Sequence, residues 1–211
     1  MAVILRDRVR PGVRVLLVGI NPGVRSAAIG HHFAGYSNRF WKLLHESGLV
    51  SEPIGAQDDE RLPEWGLGVT NLIARMTPGI DTLRPDEYVA GLRTLRRKVR
   101  RWKPAIVAFV GVSLYRAIFT APAARARTAS RRLQPRMRTA AAQSRAGLVP
   151  REHRRMPVTL GPQQNTFEGA RVFVLPNPSG RNANFSYAEM LAAFRTLESA
   201  ARGTWVEPFR H

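Results

Sequence analysis

Cysteine is absent from the 211-residue sequence. That excludes a disulfide framework, a thiol nucleophile, a thiolate zinc site and a cysteine-ligated iron–sulfur cluster. Long apolar runs are missing too. The longest, such as Val15 to Ile20 and Ala105 to Val112, fall far short of the roughly 20 residues a membrane helix needs, so no membrane partner is expected. The basic N-terminal stretch is broken by Pro11 and Gly12, with no small-residue cleavage site after an apolar segment, so no secretory signal is expected and the anticipated location is cytoplasmic, nucleoid-associated if bacterial. No collagen-like period, heptad or internal repeat is visible. Lysine is nearly as scarce, being confined to Lys42, Lys98 and Lys103, and acidic residues number only 15.

Arginine fills the gap. Of 33 cationic residues thirty are arginine, and the formal net charge is +18. A polyanion partner follows, and the planar guanidinium fork suits phosphate. With 44% apolar residues the chain can bury one sizeable core, as its length suggests for a single domain.

Three β-rich apolar runs read as buried strands: Val13 to Ile20, Ala105 to Gly111 and Arg171 to Leu175. Asn38 to Gly48 and Asp86 to Trp102 read as amphipathic helices. The second has Tyr88, Val89, Leu92, Leu95, Val99 and Trp102 on one face. Its other face, with Arg93, Arg96, Arg97, Lys98, Arg100 and Arg101, reads as solvated. Ser186 and Glu189 form a capping box before a third helix carrying Leu191, Phe194 and Leu197. Strands alternating with helices imply an α/β fold, a three-layer α-β-α arrangement around a mainly parallel sheet. Loops leaving the carboxyl ends of such strands gather on one edge, where ligands bind, so Asn21-Pro22-Gly23 and Asn177-Pro178-Ser179-Gly180 should face one cleft.

Residues 119–156 differ in texture. They hold ten arginines, one acidic residue (Glu152) and no sustained apolar period, the composition of a flexible basic insertion. The expected organisation is therefore one domain from 1–118 and 157–204, interrupted by 119–156 and followed by a tail at 205–211.

Taken singly, GINPG after a strand is a turn in which glycine permits close backbone approach and asparagine offers one acceptor and two donors. LPNPSGRNANF is a rigid corner whose N–H groups could grip phosphate. Taken together with GINPGVRSAAIGHHFAGYSNRFWKLLHESGL (19–49) and GVTNLIARMTPG (68–79), the chain resembles the mismatch-specific uracil-DNA glycosylase and thymine-DNA glycosylase family, within the uracil-DNA glycosylase superfamily. The resemblance runs from about Gly12 to Phe119 and from about Leu160 to Leu197.

That resemblance implies extrusion of a nucleotide from a DNA duplex and hydrolysis of its N-glycosidic bond. Asn21 would orient the attacking water and Thr77 would share it. Phe33 would stack on the base, and Asn71, at a position where some bacterial relatives carry lysine, would read its polar edge. Ile20 and Ser26 would line the pocket. His31 and His32 match a paired histidine of thymine-type relatives, with a purely structural role as the alternative. In the second loop Ser179 and Gly180 would grip the backbone, while Arg181 would be the wedge that fills the gap and touches the orphaned guanine. The five histidines have no metal-ligand spacing, so neither metal nor cofactor is expected. Nor is lyase chemistry, because none of the three lysines is among the residues the resemblance places in the pocket. The implied substrate is uracil, with thymine or modified pyrimidines as further candidates, mispaired with guanine in double-stranded DNA; a monomer is expected. Two other classes remain open: a DNA-binding module without catalysis, and a small nucleotide-binding α/β protein. The latter would lack both a Walker lysine and a spaced G-x-G-x-x-G.

Overall fold

The run VLLVG forms strand β1, Val15–Gly19, with every residue buried. The computed structural model describes residues 5–77, 82–119 and 158–203. After β1 come helix α1 (Val24–Ile29), helix α2 (Phe40–Glu46), a 3₁₀ helix (Ala56–Trp65) and strand β2 (Leu67–Asn71). Helix α3 (Pro85–Trp102), β3 (Ile106–Val110) and α4 (Val112–Phe119) follow. The chain then forms β4 (Gly161–Phe167), β5 (Ala170–Leu175) and α5 (Tyr187–Arg202).

The strands make one sheet in the order β2-β1-β3-β5-β4. All pairings are parallel except that of β4 with β5. Successive strand residues point to opposite faces, and β1 divides accordingly. Val15 and Leu17 pack with Phe40, Leu43 and Leu44 of α2 and with Met190, Phe194 and Leu197 of α5. Leu16 and Val18 pack on the opposite face with Leu95 and Val99 of α3 and Leu114 and Ile118 of α4. This is the three-layer α-β-α arrangement expected of the sequence.

Local chemistry fixes the helix ends. Ser186 Oγ accepts from the Glu189 backbone N–H at 3.3 Å, while the Glu189 carboxylate accepts from Ser186 N–H at 2.7 Å. This reciprocal cap satisfies two orphan donors at the start of α5. At α3, Pro85 opens the first turn, where a missing N–H costs nothing. Two expectations for this helix fail. Val89, placed on the apolar face, is exposed. Lys98, placed on the solvated face, is half-buried, with Nζ 2.8 Å from Asp7 and 2.9 Å from Thr70 Oγ1. The cause is tertiary: a bridge between Arg8 and Val69 lays the N-terminal segment along β2 and brings Asp7 beside α3.

Of the basic stretch at 119–156, Phe119 closes α4 and the remainder lies outside the described residues, as does the tail at 205–211. No helix among the described residues is long and apolar enough to cross a membrane.

Strand order determines where a ligand can enter. From β1 the chain moves outward to β2, then crosses back to β3 on the other side of β1. The loops after β1 and β3 therefore diverge, opening a crevice between the carboxyl ends of these two strands.

Candidate active site

A cavity of about 240 Å³ occupies that crevice. Its walls include Ile20, Asn21, Ser26, Phe33, Asn71, Thr77 and Ser179. With His32, eight of the eleven residues singled out in the sequence thus meet at one place, although they come from the turn after β1, helix α1, the end of β2 and three further loops; His31 stays outside the lining. Gly180 and Arg181 are not in the lining; they continue the Ser179 loop outward, and Arg181 is exposed. The sequence did not single out Leu5, Gly35, Asn38 or Val110, which also line it. A hollow of similar size, about 260 Å³, lies at the irregular edge of β4, lined by Gln163, Asn165, Arg171 and their neighbours without any His, Asp or Glu.

The Asn21 loop is stitched to the segment after β2. Leu72 N–H donates to Gly19 C=O and Ile73 N–H to Ile20 C=O, each at 2.8 Å, and Thr77 N–H donates to Pro22 C=O at 3.3 Å. Asn21 Nδ2 donates to Thr77 Oγ1 at 2.7 Å and to Pro22 C=O at 3.2 Å. The Pro22 carbonyl can only accept, so the amide nitrogen is fixed on that side and Oδ1 is left as an acceptor. Ser26, buried, accepts on Oγ from Ala34 N–H at 3.0 Å, which holds the loop carrying Phe33.

Phe33 has φ 51°, in the left-handed region that costs a bulky residue about 1–3 kcal/mol. Packing holds it there: its ring stacks on buried Phe40 with centroids 3.9 Å apart and planes 20° apart. An aromatic surface is thereby fixed on one wall of the cavity. Beside that ring Gly19 leaves room for the Asn71 amide, since a Cβ there would lie 2.5 Å from Asn71 Oδ1 and 3.4 Å from Phe33 Cζ and would push the amide aside.

Asn71 belongs to a longer chain of contacts. Buried His32 places Nε2 2.9 Å from the Arg6 carbonyl, which can only accept, so Nε2 carries the proton and Nδ1 is a lone pair. Asn71 Nδ2 lies 3.4 Å from that lone pair, which turns Oδ1 toward Gly19. Behind them Asp59, fully buried, accepts from His32 N–H at 2.9 Å and Arg8 Nε at 3.0 Å, with His31 Nδ1 also at 3.0 Å. Desolvation holds the His32 imidazole below its usual 6.5 and outweighs the Arg6 hydrogen bond and the Asp59 charge. His32 is thus neutral in the folded protein. Its stability contribution is fully present above pH 6.5 and is lost as pH falls toward the lowered value, because the unfolded chain binds the proton first. Protonation would make Nδ1 a donor facing another donor and so disorder Asn71. Activity that uses Asn71 is therefore expected to stay level above pH 6.5 and to decline below it. His32→Gln should remove that acid limb in a pH–rate profile, and a variant that retained it would show the titrating group to be elsewhere.

The second loop is held by its asparagines. Ser179 N–H donates to Asn177 Oδ1 at 3.0 Å, and Asn182 Nδ2 donates to the Asn177 carbonyl at 2.8 Å. Gly180 presses against Ser37, where a Cβ would meet Ser37 Cβ at 2.5 Å and its carbonyl oxygen at 2.7 Å. Arg39 N–H donates to Pro178 C=O at 2.9 Å. A rigid corner thus forms one lip of the cavity, and it shares its backbone contacts with the segment just before α2.

The sequence model of the uracil DNA glycosylase superfamily matches residues 7–198, nearly the whole chain and both loops. The chain belongs to the uracil DNA glycosylase superfamily. Membership brings the general class: a DNA repair hydrolase that acts on DNA and cuts N-glycosidic bonds, with uracil as the superfamily base. For a uracil DNA glycosylase the cavity is reasonable in scale. At about 240 Å³ it falls just below the roughly 300–1,000 Å³ of sites for drug-sized ligands, as suits a single flat ring with little else. Among the described residues no three His, Asp or Glu side chains gather where they could hold a metal ion.

Proposed function

We propose that the chain is a monofunctional DNA glycosylase of the mismatch-specific uracil and thymine type, extruding uracil opposite guanine from duplex DNA and hydrolysing its glycosidic bond. The observation that supports this most is the convergence of Asn21, Thr77, Phe33 and Asn71 on one cavity at the β1–β3 crevice. The base slides over the Phe33 ring, and Asn71 Oδ1 accepts from its imide N–H. Ile20 and Ser26 close the pocket round the ring, Ser26 near the part that decides whether a 5-methyl group fits.

On the far side of the sugar, Asn21 Oδ1 and Thr77 hold a water. Its oxygen bonds to C1′ as the C1′–N1 bond breaks, and that electron pair leaves with the base. An amide is too weak a base to take the water's proton, so the proton passes to the departing base anion or to solvent. The enzyme's part is dipoles placed in advance. No Schiff base is involved: Lys98, which lines a neighbouring hollow with Asn71, is tied to Asp7 and Thr70, and Lys42 pairs with Glu46. Every group named comes from one chain, so one copy suffices.

Ser179 and Gly180 offer backbone N–H groups to phosphate, and Arg181 enters the gap left by the extruded nucleotide and bonds the orphaned guanine. Arg181→Ala should flatten the preference for G:U over A:U by about 1–3 kcal/mol, the value of a good base-edge contact. Equal loss on both duplexes in single-turnover assays would reduce Arg181 to a phosphate contact. The whole reading is tested by incubating the protein with end-labelled G:U, G:T and A:U duplexes and single-stranded U, then cleaving abasic sites with alkali. G:U should be cut fastest. Equal rates on A:U and single strands would overturn the mismatch type, and no alkali-labile site on any substrate would overturn the glycosylase.

A further inference from the structure

Five large apolar side chains are exposed among the described residues: Val24, Ile29, Tyr36, Met76 and Val89. Singly exposed apolar residues are ordinary. Three of these, however, border the cavity: Val24 follows Gly23, Met76 precedes Thr77, and Tyr36 lies between Gly35 and Asn38, with Gly23, Thr77, Gly35 and Asn38 all in its lining. Tyr36 is the extreme case at 90% exposure. Nothing in the fold needs it there, since its ring reaches no part of either core cluster.

The ring is nevertheless not loose. The Arg25 guanidinium lies 3.6 Å from its centroid, close enough for a cation–π stack. Arg25 makes no ion pair among the described residues, and neither do Arg39 and Arg181 nearby in the chain and the second loop. Arginines far from the cavity are often neutralised, as Arg75 is by Glu87 and Arg100 by Glu168. Next to Tyr36, Ser37 packs against Gly180 of the second loop. The ring therefore stands beside the cavity, on a segment that lines it at Gly35 and Asn38 and packs at Ser37 against the Ser179–Arg181 lip. A planar cation covers one of its faces, and the other is open to solvent.

From this placement we infer that Tyr36, backed by Arg25, is a stacking platform for a DNA base next to the gap left by the extruded nucleotide. The inference rests on the glycosylase reading for the presence of DNA. A flat, sequence-tolerant aromatic surface flanked by unpaired guanidinium groups fits a nucleobase and its phosphates. Distance agrees: Tyr36 directly follows the lining residue Gly35, with about 3.8 Å between their Cα atoms, and neighbouring nucleotides along one strand lie about 3.4 Å apart. Stacking there would hold the neighbouring base in place while its partner in the stack is removed.

The test uses the full-length protein and G-opposed duplexes carrying a stable abasic analogue, with the fluorescent base 2-aminopurine at one flanking position at a time. Tyr36 should alter the fluorescence at one of these positions, and Tyr36→Ala should abolish that change and weaken binding at least about fivefold, the lower range for one base–aromatic stack. Tyr36→Phe should retain both, and Arg25→Ala should weaken both in part. The Tyr36 side chain is exposed, so its removal leaves the core intact, and a thermal melt matching wild type confirms each variant's fold. Tyr36-independent fluorescence at every flanking position, or unchanged binding by Tyr36→Ala, would overturn the platform. If the wild-type chain bound these duplexes but excised no pyrimidine, the proposed function would fail while the stacking readout still decided the fate of Tyr36.

Discussion

Replacing Asn21 with alanine should lower single-turnover excision from G:U duplexes by at least about 100-fold, the usual scale for losing one positioned polar group that acts in the transition state. The structure makes this a clean deletion. The loop around Asn21 is closed by backbone bonds that the variant keeps: Leu72 to Gly19, Ile73 to Ile20 and Thr77 to Pro22. What disappears is the amide that bridges to Thr77 Oγ1 at 2.7 Å and lines the cavity, with Oδ1 left as an acceptor. Affinity for a duplex with an abasic analogue should scarcely change, because the base stack, the second loop and the phosphate contacts are untouched. Excision within a few-fold of wild type would show that the water is held by some other group.

Phe40→Ala should be the most damaging single change to the fold, and it should reach the site as well. Phe40 is fully buried, stacks under Phe33 at 3.9 Å, and meets Trp41 and Phe194 edge-on with centroids 5.1 and 6.3 Å away. Truncating such a ring typically costs about 3–5 kcal/mol. At about 2–4 °C per kcal/mol for a chain of this size, the melting temperature should fall by about 6–20 °C. The site suffers because Phe33 sits at φ 51°, a strained backbone that packing has to maintain. Excision should therefore fall even at temperatures where the variant remains folded. Phe40→Leu should recover much of the stability but little of the stacking, which separates the two effects. A stability loss below about 1 kcal/mol would mean that the cavity wall is not carried by this core.

Legibility in the sequence followed the physical signal available at each place. Strands β1, β3 and β5 are covered on both faces, so their residues are apolar almost throughout, Arg171 of β5 being the exception, and stand out. β2 and β4 carry no such apolar run. LGVTN contains a glycine and a threonine, and its threonine is buried through a partner, Asp7, that lies 63 residues away in the chain. GPQQNTF is an irregular edge strand whose burial alternates only weakly. Lys98 misled for the same reason as β2, since helical periodicity carries no information about a carboxylate 91 residues away. At the site, the loops at the ends of apolar strands could be placed on one edge from topology alone. Gly35, Asn38 and Leu5 could not, because their presence in the lining depends on how the segment before α2 and the N-terminal segment fold over the crevice. The Asp59–His32–Asn71 connection was equally hidden: Asp59 belongs to a 3₁₀ helix with no motif of its own.

On the proposed function, the crevice between β1 and β3 cuts the bond between base and sugar and nothing else. Product analysis by mass spectrometry tests it most directly, on a G:U duplex turned over by the wild-type chain with borohydride present. Free uracil should be released mole for mole with abasic sites, in strands that stay unbroken until alkali is added, with no trapped protein–DNA adduct. Intact uracil strands after prolonged incubation, or a borohydride-trapped adduct with strand breakage, would contradict it.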